Sequence, residues 1–321
     1  MVHKAENKMV SVIIPTFNDS SDRLSRSIFS VINQTYRKIE IFIIDDGSKL
    51  PFAGLNKTIK DKRISWLPLK KNSGVAKARN HALTKAKGKY VAFLDTGDWW
   101  EKDKLSEQLK VFASTQFKDC ILTYSDAQTH FPDGSIGKMV AKNKGRLYPQ
   151  ALVNVPVSGS CSSALLLTEV LLGVGGFYES EDIPEDKELW VQLSKVGSFD
   201  YISNLLVHIE VHLPSSRSFS AEKKKKPYLK FIELHETELK SYRLYKKAIA
   251  NYHEQIGMKY YLSGDNKQSI VNWLKRICYN PSFTSFLDLI ILIWSALTKK
   301  EYRVIRSKVY KTINKIRGKK I

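Results

Sequence analysis

Polar clusters follow three apolar runs in the first hundred residues of this 321-residue chain. They are Thr16-Phe17-Asn18, Asp45-Asp46-Gly47 and Asp95-Thr96-Gly97-Asp98. Carboxylates are the oxygen ligands that a divalent cation on a diphosphate prefers, and such a cation stabilises a nucleoside diphosphate as it leaves. Each cluster alone also fits a turn, because Asp-Gly is a common turn pair and Asp98 could cap a helix that begins near Trp99. Together, the two acidic clusters favour a polar ligand site.

A further acidic segment, Glu185-Asp186-Lys187-Glu188, precedes an amphipathic pattern that predicts a helix over Glu185–Val196. Acids in the first turn of a helix often only complement the helix dipole. A carboxylate at this place could equally act as a general base toward an attacking hydroxyl group. The local spacing favours neither interpretation.

The apolar runs predict the elements that position these clusters. The alternation of strands and helices indicates an α/β fold, with a mostly parallel sheet covered by helices on both faces. Ligands of such sheets bind beyond the carboxyl ends of the strands, so the polar clusters are expected at one edge. The predicted strands are Val10–Pro15, Glu40–Ser48, Ile64–Leu69 and Lys89–Asp95, and the predicted helices are Asp22–Gln34, with Asp22 as N-cap, and Gly74–Ala86.

The second half of the chain predicts a change of architecture. Phe199–His212 has the pattern of a strand pair, and the polar, charged segment Ser215–Lys226 is the expected boundary. We therefore predict a catalytic domain over residues 1–218 and a helical region over 219–321. Its predicted helices are 228–245, 248–263, 266–277, 284–297 and 301–317.

The positive charge is concentrated in this second region. The whole chain has a formal net charge of +20, and residues 221–321 alone hold 23 basic and 8 acidic side chains, a net +15. Such a tail suggests an anionic partner. No recognisable nucleic-acid module accompanies it, so nucleic acid is not expected. The three scattered cysteines and the absence of a signal-peptide pattern favour a reduced, cytoplasmic compartment.

Residues 299–321 carry ten basic side chains and one acid. Their apolar residues recur every three or four positions, which is typical of a helix lying on a membrane surface. Packing against the catalytic domain and binding of a protein partner remain alternatives. The preceding apolar segment Phe286–Leu297 could itself dip into the membrane interface or form a buried helix. The sequence thus predicts a cytoplasmic protein with a peripheral attachment to the inner face of the membrane. The apolar stripe consists of Tyr302, Ile305, Val309, Ile313 and Ile316.

Four blocks in this order resemble the family-2 inverting glycosyltransferases over about residues 9–215. The blocks are VSVIIPTFN, IFIIDDGS, NSGVAKARNHALTKAKGKYVAFLDTGDWW and GGFYESEDIPEDKELWVQLSKVG. The resemblance implies the glycosyltransferase-A fold and a role like that of bacterial enzymes of cell-surface polysaccharide synthesis. It further implies a nucleotide-sugar donor (a UDP-sugar is expected), Mg²⁺ or Mn²⁺, and a glycan or lipid-linked acceptor.

The resemblance also implies roles for particular residues. Asp186 matches the catalytic base, which takes a proton from the acceptor hydroxyl in a single displacement. Asp98 and His212 match metal-binding positions. The positions that match nucleotide-binding residues are Pro15, Thr16, Asn18 and Asp46 at the nucleoside pocket, Asn72, Gly74 and Arg79 in the block that closes over the nucleotide, and Asp95 near ribose and diphosphate.

The chain departs from the family pattern at two positions. Gly97 stands where many members have a third acid of the acidic segment, and Glu210 stands where an arginine is common. The missing carboxylate keeps open a catalytically impaired nucleotide-sugar-binding or scaffold protein. A nucleotidyltransferase is a further alternative, but the turn after the first strand lacks the glycine-rich basic loop typical of that class.

Overall fold

The computed structural model describes residues 8–180, 182–211 and 221–298, together with 302, 305, 306 and 309. The chain divides into two compact units, Met1–His212 and Leu213–Ile321. The predicted boundary between residues 218 and 219 lies outside the described residues and stays a prediction.

Parallel strands form one half of the sheet in the first unit, in the order β3-β2-β1-β4. The predicted alternation of strands and helices is therefore confirmed. The strands are short and mostly apolar. Helix α1 connects β1 to β2 and helix α2 connects β3 to β4, as crossover helices between parallel strands do. The elements are β1 (Val10–Thr16), α1 (Ser21–Ile32), β2 (Ile39–Asp45), β3 (Ile64–Pro68), α2 (Val75–Leu83) and β4 (Tyr90–Phe93).

The carboxyl ends of β1, β2 and β4 lie at one edge of the sheet. Thr16 pairs with Asp45, and the amide of Asp46 donates to the carbonyl of Thr16 at 2.9 Å. The amide of Leu94 donates to the carbonyl of Ile13 at 3.0 Å. The three polar clusters therefore follow strand ends that share this edge.

Alternation along the strands builds two apolar layers. Ile13 of β1 belongs to the cluster on one face of the sheet, and its neighbours Val12 and Ile14 belong to the cluster on the other. Both faces are covered because successive side chains of a strand point to opposite sides. This explains why β1 is buried along its whole length and mostly apolar, interrupted by Ser11, rather than alternating.

The other half of the sheet contains mostly antiparallel pairs, in the order β4-β8-β6-β9-β5, with β7 on β6. Two expectations are wrong here. Phe199–His212 does not form a strand pair: one long strand runs to Glu210, with register shifts against β6. Trp99 begins a strand rather than a helix. The strands are β5 (Trp99–Trp100), β6 (Cys120–His130), β7 (Ile136–Met139), β8 (Leu165–Leu167) and β9 (Ser198–Glu210).

The remaining helices of this unit include the helix predicted to begin at the acidic segment, and its bounds Glu185–Val196 agree with the prediction. Asp22 is not an N-cap as expected, because Ser20 holds that position and Asp22 lies in the first turn of α1. There its charge complements the helix dipole. The helices are α3 (Lys104–Ser114), α4 (Ser160–Ser163), α5 (Thr168–Gly173) and α6 (Glu185–Val196), with 3-10 segments at Pro51–Lys57 and Gln150–Leu152.

The second unit is helical, as predicted. Lys223–Lys226, expected in the polar boundary segment, lies instead inside its first helix. No helix of the described residues is long and apolar enough to cross a membrane. The helices are α7 (Ala221–Leu234), α8 (Glu236–Ser241), α9 (Tyr245–Leu262), α10 (Asn266–Tyr279) and α11 (Phe283–Thr298).

Candidate active site

Asp45 stabilises the turn in which β2 ends. Its Oδ1 accepts a hydrogen bond from the amide of Ser48 at 2.7 Å, and its Oδ2 accepts one from the amide of Phe52 at 2.7 Å. The side chain is buried. Within the cluster Asp45-Asp46-Gly47, Asp45 therefore has the role of a turn residue.

Asp46 fastens a loop across the end of β2. Its carboxylate accepts from the amide and hydroxyl of Ser73, at 2.8 and 2.7 Å, and from the amide of Gly74 at 2.8 Å. The loop passes so close to Gly47 that a Cβ there would lie 2.6 Å from the amide nitrogen of Asn72. Asp46, Asn72 and Gly74 are thus brought together, and Asp46 positions the loop that carries the other two.

The turn after β1 presents an aromatic ring. The carbonyl of Pro15 accepts from the hydroxyl of Thr96 at 2.7 Å, which ties the ends of β1 and β4 together. Thr16 is buried, and Asn18 adopts a φ of 53°, which asparagine tolerates better than most residues. Phe17 between them is 45% exposed. Nothing in the sequence marks this ring, although an exposed aromatic face suits a nucleobase.

Arg79 joins the end of β4 to the beginning of α6. Its Nη2 donates to Asp95 Oδ1 at 2.5 Å and its Nη1 donates to Glu185 Oε1 at 3.3 Å. The guanidinium lies 4.9 Å from the centre of the Phe177 ring, and only 3% of Arg79 is exposed. Burial lowers the pKa of Arg79, but the charges of Asp95 and Glu185 outweigh it and raise that pKa above its ordinary value. Arg79 is therefore a buried, charged bridge between two acidic segments.

Asp98 is linked to Asp95 through Ser162. The Ser162 hydroxyl donates to Asp98 Oδ2 at 2.6 Å and accepts from the amide of Asp95 at 3.1 Å. The amide of Glu210 donates to Asp98 Oδ1 at 3.1 Å. Burial, followed by the charge of Asp95, raises the pKa of Asp98 to about 7. A cation near the two carboxylates would lower that pKa again.

Two arginines of α1 fill the space beside Gly97. A Cβ on Gly97, whose φ is +101°, would overlap the Arg23 guanidinium and lie 2.8 Å from Glu210 Oε2. Arg23 and Arg26 both bind Glu210 Oε2 at 2.9 Å, and they donate to the carbonyls of Thr96 and Gly97. An acid at position 97 would have to adopt a strained positive φ and displace the ends of the Arg23 and Glu210 side chains. The packing also gives a role to Glu210, which anchors both arginines.

The acids at the start of α6 have different partners. Glu185 binds Arg79, whereas Asp186 Oδ1 accepts from the amide of Lys187 at 2.7 Å. Burial lowers the pKa of Lys187 to about 8, against the opposing effect of Asp186. The guanidinium charge of Arg79 thus falls on Glu185, the residue directly before Asp186.

The donor set fits a hard divalent cation bound through few protein ligands. Asp95 and Asp98 provide carboxylate oxygens, the ligand type of Mg²⁺ and Mn²⁺. The described part of the chain holds no group of three or more His, Cys, Asp or Glu side chains arranged to bind a metal. A cation would therefore need phosphate oxygens and waters as its remaining ligands. His212, predicted as a ligand, lies outside the described residues.

The predicted residues thus form two groups at the strand-end edge. Asp46, Asn72 and Gly74 form one, next to the turn of Pro15, Thr16 and Asn18. Arg79, Asp95, Asp98 and the start of α6 with Asp186 form the other. The sequence did not single out Phe17, Ser162, Arg23 and Arg26, whose contacts join positions far apart along the chain.

Residues 11–164 match the family model described as Glycosyl transferase family 2. The Bacillus subtilis glycosyltransferase TuaG, named for teichuronic acid biosynthesis, is 31% identical over 201 residues, which are 61% of this chain and 76% of TuaG. The chain therefore belongs to glycosyl transferase family 2, and the predicted family is confirmed.

This chain covers a smaller share of two further relatives than it does of TuaG. An uncharacterized glycosyltransferase of Rickettsia bellii is 33% identical over 205 residues, 63% of this chain and 29% of that protein. The chain spans about a third of the length of the first rickettsial relatives that it matches. The Escherichia coli UDP-Glc:alpha-D-GlcNAc-diphosphoundecaprenol beta-1,3-glucosyltransferase WfaP is 41% identical over 102 residues, 32% of this chain and 40% of WfaP.

Solved structures share the fold. TarS 1–349 of S. aureus in complex with UDP-GlcNAc superposes with a TM-score of 0.56 at 17% identity, over 95% of this chain and 92% of that one. The mannosyltransferase PcManGT of Pyrobaculum calidifontis, in complex with GDP-Man and Mn²⁺, gives 0.54 at 14% identity, over 98% and 88%. The predicted glycosyltransferase-A fold is thereby confirmed.

Proposed function

We propose that this chain is an inverting glycosyltransferase that moves a sugar from a nucleotide-sugar donor to a hydroxyl group of a glycan or lipid-linked acceptor in cell-surface polysaccharide synthesis. The observation that carries the proposal is the Arg79 bridge, which brings the acidic end of β4 and the acidic start of α6 into one site. The name of TuaG supports a polysaccharide product, and the name of WfaP supports a diphosphoundecaprenol-linked acceptor.

The nucleoside of the donor binds along the edge formed by the turn after β1 and the loop that Asp46 holds. Phe17 stacks on the base, and the loop at Asn72 and Gly74 covers it from the side. A UDP-sugar is the expected donor, and the UDP-GlcNAc held by TarS supports this choice.

Asp186 takes the proton of the acceptor hydroxyl. The oxygen then forms a bond to the anomeric carbon from the face opposite the diphosphate. The bond to the diphosphate breaks with its electron pair, so the configuration inverts. Arg79 contributes by fixing the first turn of α6 through its ion pair with Glu185, the neighbour of Asp186.

A Mg²⁺ or Mn²⁺ ion bound with the donor would neutralise the charge that develops on the leaving diphosphate. Asp95 and Asp98 would hold it, and Ser162 and the amide of Glu210 keep the Asp98 carboxylate in place. The Mn²⁺ in the PcManGT complex supports this assignment.

A catalytically impaired nucleotide-sugar-binding or scaffold protein is the second candidate. The missing carboxylate at Gly97, where Arg23 and Arg26 fill the adjacent space, favours it. Membership of the family gives no support to the nucleotidyltransferase alternative. We place the protein in the cytoplasm, attached peripherally to the inner face of the membrane. The free Cys120, Cys161 and Cys278 fit a reducing compartment.

A donor screen tests the proposal. UDP-, GDP- and dTDP-sugars are mixed with the protein and Mg²⁺ or Mn²⁺, with and without membrane lipid extract, and release of nucleoside diphosphate is followed. We expect one donor to be used and Asp186→Asn to lower turnover about 100-fold or more, while Asp133→Asn in the exposed turn before β7 leaves it unchanged. Full turnover by a folded Asp186→Asn variant would remove the base. Tight donor binding without release under any condition would support the second candidate.

A further inference from the structure

One face of α11 exposes large apolar side chains along its whole length. At 3.6 residues per turn they fall on an arc of about 100°, and no polar residue interrupts that arc. Their exposed fractions run from 36% to 78%. Contiguous exposed apolar patches on soluble proteins mark interaction surfaces. The residues of this outward face are Phe283, Phe286, Ile290, Ile293, Trp294 and Leu297.

The opposite face of the same helix is buried although it carries polar groups. Asp288 is fully buried, and its Oδ1 accepts from Arg306 Nε at 2.7 Å. Ser295 is also buried, and its hydroxyl hydrogen-bonds to that of Tyr261 at 2.5 Å. An ordinary surface helix shows the reverse arrangement, with its polar side in water. The outward face of α11 is therefore built to meet an apolar environment.

The apolar stripe that the sequence assigned to a membrane helix lies elsewhere. Tyr302 and Ile305 are buried, and Val309 packs beside them in the core of the second unit, against Trp273. The described side chains of that stripe therefore pack in the core of this unit. This expectation is wrong for them, whereas α11 presents a continuous row of apolar side chains to solvent.

The net charge of the second unit distinguishes between possible binding partners of this face. Residues 221–321 carry a net +15, and the ten basic residues of 299–321 follow α11 directly. A second copy would bring a like charge of +15 against the first and would be repelled. An anionic phospholipid surface attracts Lys and Arg near it, and it accepts Phe, Trp, Ile and Leu at the boundary of headgroups and acyl chains.

We propose that the outward face of α11 docks on an anionic phospholipid bilayer, to which the net positive charge of residues 221–321 attracts the chain. The inference deepens the proposed function and rests on it for its purpose, since a lipid-linked acceptor is presented at such a surface. Docking itself requires no catalysis, so it is measured separately.

Co-sedimentation of the full chain with vesicles is the test. We expect binding to vesicles containing phosphatidylglycerol, weaker binding to pure phosphatidylcholine, and weakening by salt because the Debye length shortens. The variant F286Q/I290Q/W294Q should lose at least about tenfold in partitioning, because it removes three apolar side chains from the contact. The matched control I136Q/V140Q/L172Q changes three equally exposed apolar residues of the first unit and should bind as the wild type does.

Tryptophan emission gives a second measurement. Vesicles should shift the emission of the wild type to the blue, and Trp294→Phe should remove most of that shift. Equal binding by the α11 variant and the wild type would overturn the proposal. So would absence of binding to anionic vesicles, or a dimer in light scattering that the α11 variant abolishes. Release of nucleoside diphosphate in vesicle-free solution should be the same in wild type and α11 variant, so a failure of docking is distinct from a failure of the transferase assignment.

Discussion

Replacing Arg79 by methionine removes the bridge between the end of β4 and the start of α6. The apolar side chain keeps the contact with Phe177 but leaves Asp95 and Glu185 without their shared cation. The two carboxylates then repel each other, and the first turn of α6 loses its link to the sheet. We expect both the free energy of unfolding and the turnover to fall.

The size of the loss follows from burial. Breaking a buried ion pair by removing one partner costs about 3–5 kcal/mol. The side chains of Asp95 and Glu185 are 37% and 29% exposed, so water solvates the released carboxylates in part. We therefore expect a loss of about 2–3 kcal/mol in stability. A small displacement of Asp186 with the helix should lower kcat about 10- to 100-fold.

Urea unfolding and steady-state kinetics of Arg79→Met, Arg79→Lys and the double variant R79M/E185Q check this reasoning. Lysine keeps the charge but cannot hold both acids at once, so it should be intermediate. In the double variant one repelling charge is gone, so about 1 kcal/mol of stability should return. Wild-type stability and kcat in Arg79→Met would refute the bridge as a positioning device.

Three other variants test neighbouring parts of the site. Asp46→Ala leaves the three donors of Ser73 and Gly74 unpaired; it should cost about 2 kcal/mol in urea unfolding and raise the donor KM about tenfold, and an unchanged KM would contradict the loop's role. Gly97→Asp should cost about 1–3 kcal/mol because a φ of +101° is strained for any residue with a Cβ, and it should not tighten Mn²⁺ binding in calorimetry because the new side chain would lie against the Arg23 guanidinium. The Asp98 pKa of about 7 lies above its ordinary 3.8, so the folded protein favours the protonated form of Asp98. The stabilisation that this form contributes is fully present below pH 3.8 and is lost as the pH rises to about 7. Relative to Asp98→Asn, metal-free wild type should lose up to about 1.4 kcal/mol per pH unit in this window, and parallel pH profiles would show that Asp98 titrates elsewhere.

Local patterns predicted the parallel half of the fold because each element there has a simple signature. β1 and β2 are buried apolar runs, and α6 begins at an acidic turn after Pro184 and ends before Gly197. The antiparallel half was harder. The pattern of Phe199–His212 predicted a strand pair, whereas the chain continues as one strand, with the polar Ser203 and Asn204 inside it and a shifted pairing with β6.

The placement of the candidate site residues at one edge of the sheet was predictable where the sequence carries a compact motif. The acids at positions 46, 95, 98 and 186 follow strands or begin a helix. Ser162 and Arg23 carry no such signal, because their partners Asp98 and Glu210 are 64 and 187 positions away. In α11 apolar residues occur all around the helix, so the sequence could not show which face is buried.

The stereochemistry of sugar release tests the central claim most directly. Proton NMR would follow the anomer first released to water from an α-linked donor identified in the screen, with the Asp186→Asn variant as control. The single displacement predicts that the β anomer appears first in the wild type, before mutarotation, and that the variant releases it far more slowly. First release of the α anomer would contradict the inverting mechanism and the role of Asp186 as the base that drives it.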